Sequence, residues 1–207
     1  MPDGLGRPGK REVGPELIFH YAYAVFHSPT YRERYAEFLR ADFPRLPITS
    51  DFELFRTLAG FGGELVDLHA LSKGDPRGLS FPVKGDNVIE EVRYQPPTPD
   101  SVGDDVRSLT SKTKPESRHL DSYNETKVGR VWINDRQYVE GVPESAWTFP
   151  IGGYRPAQRW LKDRLGRTLG FVEQEEYKRI IWSLLETKRL MTEIDAGIEE
   201  RGGWPLR

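Results

Sequence analysis

The run from Trp147 to Arg164 combines a glycine pair, large aromatic side chains and four cations, Arg155, Arg159, Lys162 and Arg164. Gly152 and Gly153 carry no Cβ, so their N–H groups can come close to a ligand. Pro156 suits the first turn of a helix, where a missing N–H costs nothing. From there Arg155, Arg159 and Lys162 fall at i, i+4 and i+7 and line one helical face. Ala157, Trp160 and Leu161 point the other way, toward a core. A helix start behind a glycine turn, with cations along its flank, can grip a polyanion. The competing reading of the same pattern is a solvated amphipathic surface helix.

Other combinations of residues offer less. Pro99-Asp100, followed by Glu125-Thr126-Lys127, matches the loose pattern of nucleases whose carboxylates hold magnesium and whose lysine activates water. The tripeptide recurs as Glu186-Thr187-Lys188 on an expected helix, so it is cheap. A Gly-x-x-x-x-Gly-Lys-Ser/Thr phosphate loop, an Asp/Asn-Pro-Pro-Tyr loop and an early glycine fingerprint are all missing from the sequence. His20 and His27 are seven residues apart with no third ligand in reach, which favours core or helix-end histidines over a metal site. His69 reads as a helix-end residue and His119 as a loop residue. Tyr23, Tyr31 and Tyr35 read as core aromatics. No catalytic residue, metal ligand or cofactor is assigned to the chain.

Composition limits what can position these residues. The chain has 207 residues, a formal net charge of -2, 20 glycines, 16 prolines and no cysteine. The missing cysteines exclude disulfides, thiolate zinc sites and cysteine nucleophiles, and they fit a cytoplasmic protein. No apolar run reaches transmembrane length, and no signal-peptide core is expected at the start. A slightly anionic chain can hold nucleic acid only through locally concentrated charge. Ile151 to Gly170 has five cations against one acid, and Arg107 to Arg130 six against three. Phe171 to Glu200 has four cations against eight acids, so the last helix is expected on another face from the basic patch.

Hydrophobic spacing supplies the elements. Glu16 to His27 is almost wholly apolar and predicts a buried helix. Ser28-Pro29 predicts the cap and first turn of the next helix, which carries Tyr31, Tyr35, Phe38 and Leu39. Ser50-Asp51-Phe52-Glu53 predicts a capping box opening a helix with Leu54, Leu58, Phe61, Leu65 and Leu68, in which Gly60, Gly62 and Gly63 allow a close crossing. Val88 to Tyr94 and Val128 to Ile133 read as strands, with an Asn134-Asp135 turn into Gln137 to Val139. A short helix over Pro143 to Trp147, the glycine-opened helix ending by Gly166 and an amphipathic helix over Glu173 to Ala196 follow. The expected class is α+β: N-terminal helices, a small mixed or antiparallel sheet with long loops, and a C-terminal amphipathic helix. Residues 1–14 are expected as a flexible leader and 15–207 as one domain with a mobile insertion over 95–127.

Four runs in order carry a resemblance. They are Phe19 to Tyr35, Asp42 to Pro47, Gly129 to Asn134 with Gln137-Tyr138 and Gly141-Val142-Pro143, and Trp147 to Arg164. Together they resemble the C-terminal specificity domain of type ISP restriction-modification enzymes and related large adenine methyltransferases. The resemblance covers nearly everything from Pro15 to Asp195. It implies a target-recognition domain that reads double-stranded DNA beside a methyltransferase domain or subunit and is itself non-catalytic. It also implies a parent that uses S-adenosylmethionine, ATP and magnesium in modules this chain lacks.

Within that role, Gly152, Gly153, Arg155, Arg159, Lys162 and Arg167 are the expected phosphate contacts. Arg130, Asn134, Arg136 and Gln137 are the expected base readers, because Arg suits guanine and Asn or Gln suits adenine. Lys112, Lys114 and Arg118 are expected to order on DNA. Two alternatives stand beside this reading: a protein-interaction module built on the last helix, and the magnesium-dependent nuclease.

Overall fold

A computed structural model describes residues 13–72, 74, 76–97 and 128–206. Residues 1–12 of the expected leader and 98–127 of the expected insertion lie outside the described residues. With them go Pro99, Asp100, Lys112, Lys114, Arg118, His119 and the Glu125 to Lys127 tripeptide. Among the described residues the fold is α+β, with four helices followed in the chain by three strands and then three more helices. It divides into two compact units, Met1–Asp67 with Leu190–Arg207, and Leu68–Arg189.

The first unit is helical. In α1 (Pro15–His27) the expected all-round burial fails. Tyr21, Ala24 and Val25 are buried, but Ile18 and Phe19 are 46% and 53% exposed. An apolar run states that a surface is apolar and leaves open what covers it. Ser28 caps α2 (Pro29–Arg34) as its type predicts, accepting from the Tyr31 N–H. The chain then turns at Tyr35 into α3 (Ala36–Ala41), giving two short helices in place of one. Asp51, not Ser50, caps α4 (Phe52–His69), its Oδ1 accepting from the Glu53 and Leu54 N–H groups at 2.9 and 3.1 Å. Gly62 makes the close crossing: a Cβ there would collide with the His20 carbonyl of α1. The C-terminal segment is tied on through Asp195, which accepts from Ser28, the Thr30 N–H and the Thr30 hydroxyl. Trp204 donates to Thr30 and its ring lies against Tyr31.

The second unit contains an antiparallel sheet of β1 (Arg93–Gln95), β2 (Val128–Trp132) and β3 (Tyr138–Pro143), in that spatial order. The expected first strand over Val88 to Tyr94 is shorter and later. Residues 88–91 are taken by other partners: Val88 bridges Thr168, Ile89 donates to Arg167, and Glu90 and Glu91 both donate to Ile133. Behind the sheet lie α5 (Glu144–Thr148), α6 (Pro156–Lys162) and the start of α7 (Phe171–Glu199). One core joins Val131, Val139 and Val142 of the sheet to Leu161, Tyr177 and Ile181 of the helices. Tyr177 is fully buried there, its hydroxyl donating to the Ala157 carbonyl, and burial pushes its pKa far up. Among the described residues no helix is long and apolar enough to cross a membrane.

Candidate nucleic-acid interface

The glycine pair forms a two-residue turn. Ile151 and Tyr154 exchange both backbone hydrogen bonds, at 2.9 and 3.3 Å. Gly152 has φ +58, a conformation that favours glycine at the first central position of a hairpin turn. A Cβ built on Gly152 or Gly153 would meet nothing within 4 Å, so the turn presents bare backbone to open space. Arg155 stands at the N-cap position of α6 without a side-chain capping bond, and Pro156 opens the helix, as the spacing predicts. Ala157 and Leu161 are buried, which turns Arg155, Arg159 and Lys162 outward. With seven residues, α6 has a small dipole, so side-chain charge, not the helix end, dominates here.

The five cations of this stretch are not equivalent. Arg155 and Lys162 are exposed and make no ion pair among the described residues. Arg159 donates from Nε to Asp163 one turn on, at 2.8 Å. Arg167 reaches Glu173 at 3.3 Å. Arg164 lies over the Trp160 ring at 3.7 Å, with Glu173 at 3.8 Å. Glu173 belongs to the acidic last helix, as does Glu176, which accepts from the Trp160 indole. The expected separation of the basic patch from that helix is therefore corrected: its first turns return into the patch and partly neutralise it.

Two of the four expected base readers belong to the fold. Asn134 is 6% exposed and Gln137 3%. Asn134 Oδ1 accepts from the Arg136 and Gln137 N–H groups at 3.0 and 2.7 Å, and its amide donates to Val88 and to Gln137. Gln137 donates to Val83 and Asn87, and its oxygen accepts from the Asn87 N–H and the Asn134 amide. Each amide has spent its two donors and two acceptor positions internally, so neither has any capacity left for a base edge. The signal was present in the sequence, since Asn followed by polar turn residues is how a side chain closes an Asx turn. Arg136 remains outward, 3.7 Å from Asp135. Arg130 donates to Glu140 at 3.0 Å and lies over the Tyr138 ring.

Trp147 is buried in the core and stacks on Tyr94. Tyr31 is buried, with its hydroxyl on the Arg45 carbonyl. His27 donates to the Tyr23 carbonyl at 2.7 Å and His69 meets Thr187 at 3.0 Å. Among the described residues no cluster of His, Asp and Glu could hold a metal ion.

Known proteins share the fold. Residues 5–193 match the model of the Type ISP C-terminal specificity domain. One similar solved structure is a nuclease-deletion mutant of the Type ISP restriction-modification enzyme LlaGI in complex with a DNA substrate mimic. It shows 18% identity and a TM-score of 0.55 over 94% of this chain and 17% of that one. A second is the ATP-dependent Type ISP enzyme LlaBIII bound to DNA, at 16% identity and TM-score 0.53 over 90% of this chain and 11% of that one. A third, the DrdV–DNA complex, has 24% identity and TM-score 0.57 over 89% of this chain and 18% of that one. At such identities the likeness shows the fold, and the chain spans between 11% and 18% of those chains. Comparison with curated proteins gives no match.

Proposed function

Since the chain belongs to the Type ISP C-terminal specificity domain family, we propose that it recognises double-stranded DNA for a restriction-modification methyltransferase, contributing no catalytic group itself. The observation that carries this reading is the family match over residues 5–193, supported by a fold shared with enzymes solved on DNA. In the parent, S-adenosylmethionine, ATP and magnesium would be handled by modules outside this chain.

The geometry favours a clamp at α6. Arg155 and Lys162 are unpaired among the described residues, and Gly152 and Gly153 open a bare backbone beside them. Such contacts hold phosphates and set register without reading sequence. Arg159 and Arg167, each shared with a carboxylate, supply weaker grip. Protein contact accompanies this role: Phe19, Phe38, Phe43 and Ile48 of the first unit are strongly exposed, which suits the methyltransferase side of the assembly.

Fluorescence anisotropy of the full chain with a labelled duplex tests the proposal. Binding on the order of micromolar at low salt, fading as salt rises, is expected. Absence of binding to any duplex at low salt overturns it.

A further inference from the structure

The solvent face of the sheet holds chemistry that the α6 clamp does not use. Alternation along the strands puts Arg93 and Gln95 of β1, Arg130 and Trp132 of β2, and Tyr138 and Glu140 of β3 on one face. They are cross-strand neighbours: Arg93 opposes Trp132, Gln95 opposes Arg130, Trp132 opposes Tyr138, and Arg130 opposes Glu140. Tyr94, Val131 and Val139 face the core from the other side.

On this face the two aromatic rings hold the two arginines. Arg93 lies over Trp132 at 5.4 Å and Arg130 over Tyr138 at 4.7 Å, with the rings 4.8 Å apart. Trp132 Nε1 donates to Gln95 Oε1 at 2.7 Å, which fixes the glutamine with its amide nitrogen turned away from that bond. Arg130 places Nε and one terminal nitrogen on a single oxygen of Glu140, at 3.3 and 3.0 Å. A guanidinium held by its flat side keeps its edge for hydrogen bonds.

The unspent groups form a readout set. Arg93 makes no ion pair among the described residues, Arg130 keeps donors beyond the two on Glu140, and Glu140 keeps its second oxygen. Arg matches guanine, a Gln amide matches adenine and a carboxylate accepts from cytosine. The register shifts between Gly129 and Arg130, which pair with Val142 and Glu140 and leave Gly141 of β3 between them without a partner. The strand closes so tightly there that a Cβ on Gly129 would strike Gln95 and Tyr94. A recess of about 150 Å³ opens beside it, lined by Gln95, Arg130 and Glu140. Two arginines against one glutamate make a nearly balanced surface, which suits discrimination more than grip.

We propose that this sheet face, and not the Asn134 and Gln137 amides, discriminates base edges, with Arg93, Gln95, Arg130 and Glu140 as specificity-determining residues positioned by Trp132 and Tyr138. The proposal rests on the DNA-reading function above.

Selection from a randomised duplex pool followed by sequencing tests it, run on the full chain and on Arg93→Lys, Gln95→Glu and Arg130→Ala/Glu140→Ala. The wild type is expected to enrich a sequence. Each variant should keep salt-sensitive affinity within about threefold, yet lose about fivefold or more of preference at one or two positions. Arg93→Lys and Gln95→Glu preserve charge or size, so they report even if the double variant does not fold. An unchanged enrichment profile in those two, or a wild type that binds duplexes without preference, overturns the proposal. A wild type that binds no duplex removes the DNA-reading function itself, and this inference with it.

Discussion

Asn134 and Gln137 show how a side chain suited to DNA can be consumed by its own fold. Each amide is locked into four hydrogen bonds in a water-poor turn. Asn134→Ala is expected to lower unfolding stability by about 2–3 kcal/mol in urea titration, because it strands buried partners. A change below about 0.5 kcal/mol contradicts that role. His27 carries the residue-scale pH dependence. Burial holds its imidazole below the ordinary histidine pKa, the Tyr23 carbonyl pulls it up, and Arg32 pushes it down. The folded pKa is thus below the unfolded value of about 6.5, so the unfolded chain gains a proton that the folded one refuses. Stability is full above about pH 6.5 and falls as pH drops toward the folded pKa, levelling beneath it. His27→Gln is expected to flatten urea midpoints across this window, and an unaltered pH slope in that variant contradicts the assignment.

Among the elements, the α1–α4 crossing at Gly62 is tightly constrained, because the colliding group is backbone and cannot rotate away. Gly62→Ala is therefore expected to cost about 3 kcal/mol or more in thermal or urea unfolding, at the upper end of overpacking penalties. Gly60→Ala, with nothing within 4 Å of its Cβ, serves as the control and is expected to hold or slightly raise stability. Equal stability of the two variants would remove the crossing argument. Local signals made these helices legible: the Ser28 cap, the leucine spacing of α4, Pro156 at the start of α6 and the long stripe of α7 all act within a few residues. The sheet was legible less far. Its first strand shifted from residues 88–94 to Arg93–Gln95 because Ile89 to Glu91 bond to residues 133 and 167, partners distant in sequence. The candidate site divides the same way. The outward row on α6 follows from 3.6-residue spacing. The pairing of Arg164 and Arg167 with Glu173, and the arginine–aromatic pairs across the strands, depend on tertiary register that composition does not encode.

At the scale of the whole molecule, a formal charge of -2 means that no global field draws the chain to DNA. Affinity must come from a few unneutralised cations, and specificity from hydrogen-bonding edges, so the two should separate under salt. Much of the formal positive charge near α6 is already spent on Asp163 and Glu173, which leaves Arg155 and Lys162 to set the ionic response. The most direct measurement is the slope of log affinity against log salt on one duplex, for the wild-type chain and for Arg155→Ala/Lys162→Ala. A salt-sensitive wild type is expected, with a slope about 1.8 shallower in the double variant, the value for two lost phosphate contacts. Identical slopes in the two proteins, or a wild type that does not bind duplex DNA, would contradict the DNA-reading clamp.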